Sequence, residues 1–163
     1  MKIHEKISSY PITVCKPTIK IATDKDFPSI VPLMNKANEY FTQIVNETRG
    51  KNAPQNKPFR FHDGMLATAR FLYMEVKGKP IACLTVDHWP LQTPVVVLDD
   101  LWVEPEYRRI GYGKALVEYA MDMIHKAERH AEIGILAGNT GAAAFWYAIM
   151  PSLVKMHTYY YIP

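Results

Sequence analysis

Hydrophobic residues recur along the chain with two different spacings. Some segments have the two-residue alternation of strands, and others have the three- to four-residue spacing of helices. Thr18 to Ala22 alternates and predicts a short strand. Capping oxygens and Pro28, which fits a first helical turn, follow it. We therefore expect a helix that covers one face of a sheet. The apolar positions that recur at helical spacing are Ile30, Val31, Met34, Ala37 and Phe41.

The middle of the chain is rich in strand-forming residues. Phe71 to Val76 and Pro80 to Val86 are separated by residues 77–79, which predicts an antiparallel hairpin. Val95 to Val103 is the next β-branched run and predicts the next strand. Gly50 to Pro58 is polar, contains two prolines and predicts a loop before the hairpin.

The last third of the chain changes period twice. Tyr112 to Arg129 has apolar residues at helical spacing, and Glu132 to Ala137 follows as a strand. A strand, a helix and a strand in succession usually make the two strands parallel, so a mixed sheet is expected. Thr140 to Ile149 predicts another helix, and Lys155 to Ile162 predicts a terminal strand.

Length and composition restrict the classes of protein. The 163 residues fit one domain, and 48% hydrophobic with 21% charged residues is the balance of a soluble globular protein. No apolar stretch reaches the roughly 18 residues that span a bilayer, and Met1 to Lys16 lacks the apolar block of a secretory signal. We therefore expect a cytoplasmic protein with no membrane partner. The net charge of +3 is spread along the chain and gives no reason to expect nucleic-acid binding.

The cysteines and histidines suggest neither a disulfide framework nor a metal site. Cys15 and Cys83 are few and far apart, and Cys83 lies in an apolar run where a buried, reduced thiol is expected. The histidines share no metal-ligand spacing with the cysteines. The sequence therefore predicts no metal.

The segment that carries chemistry is LDDLWVEPEYRRIGYGKAL, residues 98–116. Here a strand runs through a turn into Gly111, Gly113 and a helix. A loop that enters a helix presents unpaired N–H groups at the positive end of the helix dipole, where a diphosphate can bind. The glycines allow close approach, and Arg108 and Arg109 add positive charge. The same residues could also form an ordinary basic turn, and a dinucleotide motif is absent because residue 116 is leucine.

These residues resemble those of the GCN5-related N-acetyltransferase (GNAT) family. That family carries Gln or Arg, two variable residues, Gly, one variable residue, then Gly or Ala, and Arg108, Gly111 and Gly113 fill these positions. The preceding strand and turn and the order of elements are similar too. The resemblance implies a single acetyltransferase domain over residues 18–163, with residues 1–17 as an extension. It also implies an α/β fold of the α+β type, a mixed and mostly antiparallel central sheet with helices on both faces.

The resemblance further implies that acetyl-CoA is the cosubstrate. Main-chain amides of residues 109–114 would bind its pyrophosphate, and the strand before them would bind the pantetheine arm. Asn139 resembles the asparagine that faces this arm, although it also reads as a helix N-cap. The cofactor-binding residues implied in this way are Leu101, Trp102, Val103, Arg108, Arg109, Ile110, Gly111, Tyr112, Gly113, Lys114, Asn139 and Trp146.

Direct acetyl transfer needs a base for the amine and an acid for the thiolate. Asp99 and Asp100 are adjacent on a strand, so only one of them is expected to enter the cleft. Asp99 takes the base position in an ungapped match to polyamine acetyltransferases, whereas Glu104 falls at the turn and is expected to be solvated. The family often has a tyrosine seven residues beyond the asparagine, and Trp146 stands there. Tyr147 becomes the candidate acid, with water as the alternative if a rotation of about 100° turns it away.

The function expected from the resemblance is acetyl transfer to a primary amine of a small molecule. Polyamine-, aminoglycoside- and amino-acid-like acceptors stay open. A peptide or protein acetyltransferase is the alternative enzyme, and the loop from Gly50 to Pro58 is expected to decide between an enclosed pocket and an open groove. An acyl-CoA-binding protein without activity is the third interpretation. The oligomeric state cannot be read from the sequence, although relatives are often homodimers.

Overall fold

The computed structural model describes residues 16–49, 58, 60, 62, 64–89, 91–149 and 155–159. The strands are β1 (Thr18–Ile21), β2 (Ala69–Val76), β3 (Lys79–Asp87), β4 (Val95–Val103), β5 (His130–Leu136) and β6 (Lys155–Tyr159). The α-helices are α1 (Phe27–Arg49), α2 (Tyr112–Lys126) and α3 (Thr140–Ile149), and short 3₁₀ turns span Met65–Ala67 and Pro105–Tyr107. Most of the predicted N-terminal extension, including Cys15, lies outside the described residues, as do residues 50–57 and 160–162 of the predicted loop and terminal strand.

The described strands form one sheet in the order β1-β2-β3-β4-β5-β6. Strands β1 to β4 pair antiparallel, and β4, β5 and β6 pair parallel. The parallel pairs follow from the helical crossovers, because α2 joins β4 to β5 and α3 joins β5 to β6. The predicted mixed sheet is confirmed.

The predicted hairpin forms between β2 and β3, with a shorter connection than the three residues expected. Lys79 pairs with Val76, which leaves Lys77 and Gly78 in the turn. Both have left-handed φ angles, 51° and 76°. A two-residue turn with two positive φ angles matches the twist of the flanking strands.

Helices cover both faces of the sheet, as predicted. Helix α1 packs on one face, where Phe27 and Ile30 meet Phe71 and Cys83 of the sheet. Helix α2 packs on the other face, where it shares a core with alternate strand residues. The buried residues of this second core include Leu72, Met74, Leu84, Val86, Leu98, Leu116, Val117, Ala120, Ile124 and Trp146.

Helix α1 extends beyond the apolar positions that predicted it, and helix α2 is shorter than predicted. Helix α1 continues past Phe41 to Arg49, and Ile44 and Val45 in its last turns pack on Leu136 of β5. Helix α2 ends at Lys126, before the predicted residue 129, because Glu128 takes a left-handed φ of 55°. No helix in the described part of the chain is both long and apolar enough to cross a membrane.

Candidate active site

The centre of the sheet opens between β4 and β5. Their ladder runs from the pair Val95 and His130 to the pair Leu98 and Ile133, and within the described residues the two strands pair no further. Both strands continue, β4 to Val103 and β5 to residue 136. A cavity of about 640 Å³ lies here, lined by the diverging strands, by α1 and α3 and by the turn before α2. Beyond Leu98, the edge of β4 that faces this opening therefore has no strand paired with it among the described residues, and a ligand can lie there.

The turn into α2 presents a run of unpaired amides. In the described part of the chain, the N–H groups of residues 109–114 make no backbone hydrogen bond, and the first bond of the helix runs from Ala115 N–H to Gly111 O at 3.0 Å. Gly111, the N-cap, has a φ of 93° and gives no side-chain cap. A Cβ on Gly113 would lie 3.4 Å from side-chain atoms of Val103 and Phe145. Six free donors at a helix N-terminus form a cradle for an anion.

Arg108 is fixed beside this cradle by two contacts. Its Nε donates to Val103 O at 2.8 Å, and its guanidinium carbon lies 4.6 Å from the centre of the Trp102 ring. Lys114, by contrast, forms an exposed pair with Glu118 at 3.6 Å. Arg108 is therefore the better ordered positive charge next to the amides.

Asp99 and Asp100 both line the cavity, whereas a regular strand would be expected to turn only one of them into it. Cys83 pairs with Trp102 and Thr85 pairs with Asp99, so the register shifts by one residue between them. Asp100 takes a left-handed φ of 50° at this irregularity. A β-bulge of this kind cancels the alternation of the strand and brings two consecutive side chains to the same side.

The bulge also changes the acidity of the two carboxyl groups. Burial raises the pKa of Asp100 to about 6, and the neighbouring Asp99 charge adds to the effect, while a hydrogen bond from Thr85 opposes it. Burial also raises the pKa of Asp99, and its Oδ1 accepts the Asp100 N–H at 3.0 Å. A carboxylate that titrates near neutral pH can take a proton from a reacting group.

Asn139 both lines the cavity and caps a helix, which are the two alternatives that the sequence left open. It is buried, lines the cavity, and its Oδ1 accepts the Ala142 N–H at 3.1 Å, which caps α3. Its Nδ2 has no hydrogen-bond partner among the described residues. Every fully buried polar side-chain atom in that part of the chain has a partner, so Nδ2 is not fully buried. The side chain therefore caps a helix through its oxygen and keeps an amide donor that solvent or a ligand can reach.

Tyr147 does not have the position expected of the acid. The cavity is lined by its neighbour Trp146, which is 5% exposed and packs edge-on against Phe145. Tyr147 is 63% exposed and is not among the lining residues. One helical step turns it away from the cavity. Of the residues expected to bind the cofactor, Ile110 likewise does not line the cavity and is exposed.

The contribution of α1 to the cavity and the burial of Glu104 beside it were not predicted. Tyr40 and Phe41 of α1 line the cavity, and the Tyr40 ring centre lies 5.8 Å from that of Trp102. Glu104 was expected to be solvated but is 5% exposed, since it pairs with Lys36 of α1 and accepts from Trp102 Nε1 at 3.4 Å. The continued helical spacing from Phe41 to Ile44 and Val45 could have revealed the reach of α1, whereas no local signal marks Glu104.

Together these groups give the cavity a defined chemistry. One end has backbone donors and a fixed guanidinium for a phosphate, the middle has an open strand edge, and the bulge holds two carboxyl groups. The arrangement can bind an extended ligand with an anionic end and remove a proton from a second molecule. Within the described residues, no group of three His, Cys, Asp or Glu side chains is placed to hold a metal ion.

Sequence comparison finds one family that matches. The model of the acetyltransferase (GNAT) family matches residues 32–149, which is more than half of the chain. No curated protein is significantly similar to the chain in sequence.

Solved structures of similar fold come from several acetyltransferases. The PaiA N-acetyltransferase of Thermoplasma acidophilum, in complex with coenzyme A, has a TM-score of 0.62 at 15% identity, over 82% of this chain and 87% of its own. An aminoglycoside acetyltransferase from an uncultured soil metagenomic sample, in complex with sisomicin, has a TM-score of 0.60 at 13% identity. The match covers 90% of this chain and 95% of that one. The ribosomal-protein-S18-alanine N-acetyltransferase of Escherichia coli has a TM-score of 0.54 at 19% identity. The match covers 83% of this chain and 77% of that one. At these identities the likeness shows the fold alone.

Proposed function

The chain belongs to the acetyltransferase (GNAT) family and is an acetyl-CoA-dependent acyltransferase, and from this premise we propose that it acetylates a primary amine of a small cationic molecule. The observation that carries the proposal is a cavity that joins an amide cradle, an open strand edge and two carboxyl groups. A small-molecule acceptor is also what one structural neighbour binds, the aminoglycoside acetyltransferase with sisomicin.

The cradle fits the pyrophosphate of coenzyme A. Six unpaired N–H groups at residues 109–114 match the oxygens of a diphosphate, and the positive end of α2 favours its charge. Arg108 adds a charged donor at the end of β4. The pantetheine arm would lie along residues 99–103, where its amides can complete the hydrogen bonds that β5 leaves open, with the Asn139 amide on the opposite wall.

We assign Asp100 as the base. It accepts a proton from the ammonium group of the acceptor, and the neutral amine nitrogen then attacks the thioester carbon. The nitrogen of the tetrahedral intermediate then loses its second proton to water, the C–S bond breaks, and the acetamide and the thiolate of coenzyme A are left, while Asp100 releases its own proton to solvent. Because Tyr147 faces away from the cavity, we propose that water returns a proton to the thiolate.

The walls near the bulge favour a cation. Asp99 and Asp100 give negative charge, and neither forms a salt bridge with a basic side chain of the described residues. Tyr40 and Trp102 present aromatic rings to the same cavity. Carboxylates and aromatic faces both attract an alkylammonium group, so the site favours an amine that is cationic in water.

The test is a panel of acceptors assayed by release of free thiol from acetyl-CoA. The panel contains di- and polyamines, an aminoglycoside, amino acids and a peptide with a free N-terminal amine. We expect turnover with at least one cationic small molecule and a loss of at least a hundredfold in kcat for Asp100→Asn, the loss typical when a general base is removed. Asp24→Asn, an exposed aspartate before α1, is the matched control. Turnover of the peptide alone would contradict the small-molecule assignment.

A further inference from the structure

We propose that Thr85 is a positioning residue for the base Asp100, holding its carboxylate at the bulge by a hydrogen bond from the neighbouring strand. The inference deepens the proposed function and rests on it, since it assumes that Asp100 is the base. Neither the family resemblance nor the cavity lining points to Thr85, which lies in β3 behind the site.

Two side chains of β3 contact the same residue of β4. The Thr85 hydroxyl donates to Asp100 Oδ2 at 3.3 Å, and the Cys83 thiol donates to Asp100 O at 3.7 Å. Thr85 is 7% exposed and Cys83 is 4% exposed. The backbone and the carboxylate of Asp100 are thus both contacted by β3, at a residue with an uncommon left-handed φ of 50°.

The choice of threonine at this position indicates a polar role. Residues 81–86 of β3 are all buried. Thr85 carries the hydroxyl group in this segment, whose other residues are apolar apart from the Cys83 thiol. Valine would fill nearly the same volume without a hydroxyl group to satisfy. A buried hydroxyl costs free energy unless it finds a partner, and here the partner is the Asp100 carboxylate.

The charges around Asp100 come from each element packed against it. Asp99 on β4 and Asp87 on β3 raise its pKa, and the buried Cys83 thiol is neutral because burial raises the pKa of that thiol. From α1, Tyr40 lines the cavity, while the Lys36 charge is paired with Glu104, just after the end of β4. The Thr85 hydroxyl is the donor that stabilises the ionised form, so its loss must raise the pKa of Asp100.

The decisive experiment titrates Asp100 directly in the whole protein without acceptor. Carbon-13 NMR of protein labelled at the aspartate carboxyl carbon follows each aspartate, and the signal missing from Asp100→Asn identifies Asp100. We expect Thr85→Val to move its midpoint upward by about half a pH unit, since the hydrogen bond is long. Thr85→Ser should restore the midpoint. Thr93→Val, which removes a hydroxyl bonded to Val95 O at 2.7 Å, should leave it unchanged.

Kinetics then connect the shift to catalysis. A half-unit shift lowers the ionised fraction near pH 6, so kcat/KM of Thr85→Val should fall about twofold at pH 6 and stay near that of the parent at pH 8. An unmoved NMR midpoint, or a rate lowered by the same factor at both pH values, would overturn the inference. The titration needs no turnover, so a failure of the Thr85 inference can be told from a failure of the proposed function. An absence of transferase activity would contradict the proposed function, whereas the NMR midpoint by itself decides whether Thr85 positions the carboxylate.

Discussion

The Arg108 guanidinium lies over the Trp102 ring, with the guanidinium carbon 4.6 Å from the centre of the indole. The same guanidinium donates through Nε to Val103 O, so a stacking contact and a hydrogen bond fix one side chain. Trp102 is held in turn by Tyr40 and by Glu104, which lies between α1 and β4. The positive charge beside the cradle is thus ordered by a chain of contacts that begins on another helix.

The first prediction concerns this charge. Arg108→Met should weaken the binding of acetyl-CoA about tenfold, because one charged hydrogen-bond donor is lost beside the pyrophosphate. Isothermal titration calorimetry measures the change in Kd. Lys126→Met removes an exposed positive charge at the far end of α2 and is the control. Equal losses in the two variants would indicate a general effect of net charge rather than a contact of Arg108.

A second prediction compares two glycines that both have left-handed φ angles. Gly111 and Gly78 have φ angles of 93° and 76°, and a Cβ on either would meet no atom within 4 Å. Each change to alanine should therefore lower the free energy of unfolding by about 1 kcal/mol through strain alone. Only Gly111→Ala should weaken coenzyme A binding, since its Cβ would occupy the cradle. Urea denaturation and calorimetry give the two quantities, and unaltered binding in Gly111→Ala would place the phosphates elsewhere.

The third prediction separates two glutamates near the end of β4. Glu104 is buried between Lys36 and Trp102, whereas Glu106 is exposed and lies 3.9 Å from Lys79. Glu104→Ala should lower the free energy of unfolding by about 1–2 kcal/mol, because the indole N–H and part of an ion pair lose their partner. Glu106→Ala should cost less than about 0.5 kcal/mol, as is usual for surface pairs. Chemical denaturation of both variants measures the difference, and equal costs would contradict the buried position of Glu104.

The fourth prediction links stability to the pKa of Asp100. Folding raises this pKa from its ordinary value of 3.8 to about 6, so the folded state binds the proton more tightly. The stabilisation is present in full below pH 3.8 and is lost as the pH rises through 6. At pH 7 the ionised group therefore destabilises the fold, and Asp100→Asn should raise the free energy of unfolding by about 1–2 kcal/mol, after an allowance for partial exposure.

At pH 5 the gain from Asp100→Asn should be smaller, because the aspartate is then largely protonated in the folded protein. Denaturation curves at the two pH values measure this difference. The variant should thus be more stable and less active than the parent, a trade expected of a functional group held in an unfavourable site. A gain that does not change with pH would show that the asparagine acts through packing and not through charge.

Most of the fold could be predicted from periodicity and turn chemistry. The strands and helices follow their apolar spacing, and the turn into α2 could be recognised because Gly111 and Gly113 supply a local signal. The register could not be predicted at the bulge. The two-residue period assumes a regular strand, and nothing in the sequence Asp99-Asp100 shows that the second aspartate adopts a left-handed φ.

Contacts between distant segments were also outside the reach of the sequence. Glu104 is buried because Lys36 reaches it from α1, 68 positions away along the chain. Tyr147 is the tyrosine next to the motif position that Trp146 occupies; Trp146 lines the cavity, and one helical step carries Tyr147 outward. Both errors concern the direction of a side chain, which tertiary packing decides.

The central claim is that the amides of residues 109–114 bind the phosphates of acetyl-CoA. The most direct measurement is a titration of nitrogen-15-labelled protein with acetyl-CoA, followed by NMR of the backbone amides. We predict large shifts for the amides of residues 109–114, and none for Gly78 in the distant hairpin turn. Saturable binding that leaves the amides of residues 109–114 unmoved, or no binding at millimolar ligand, would contradict the account.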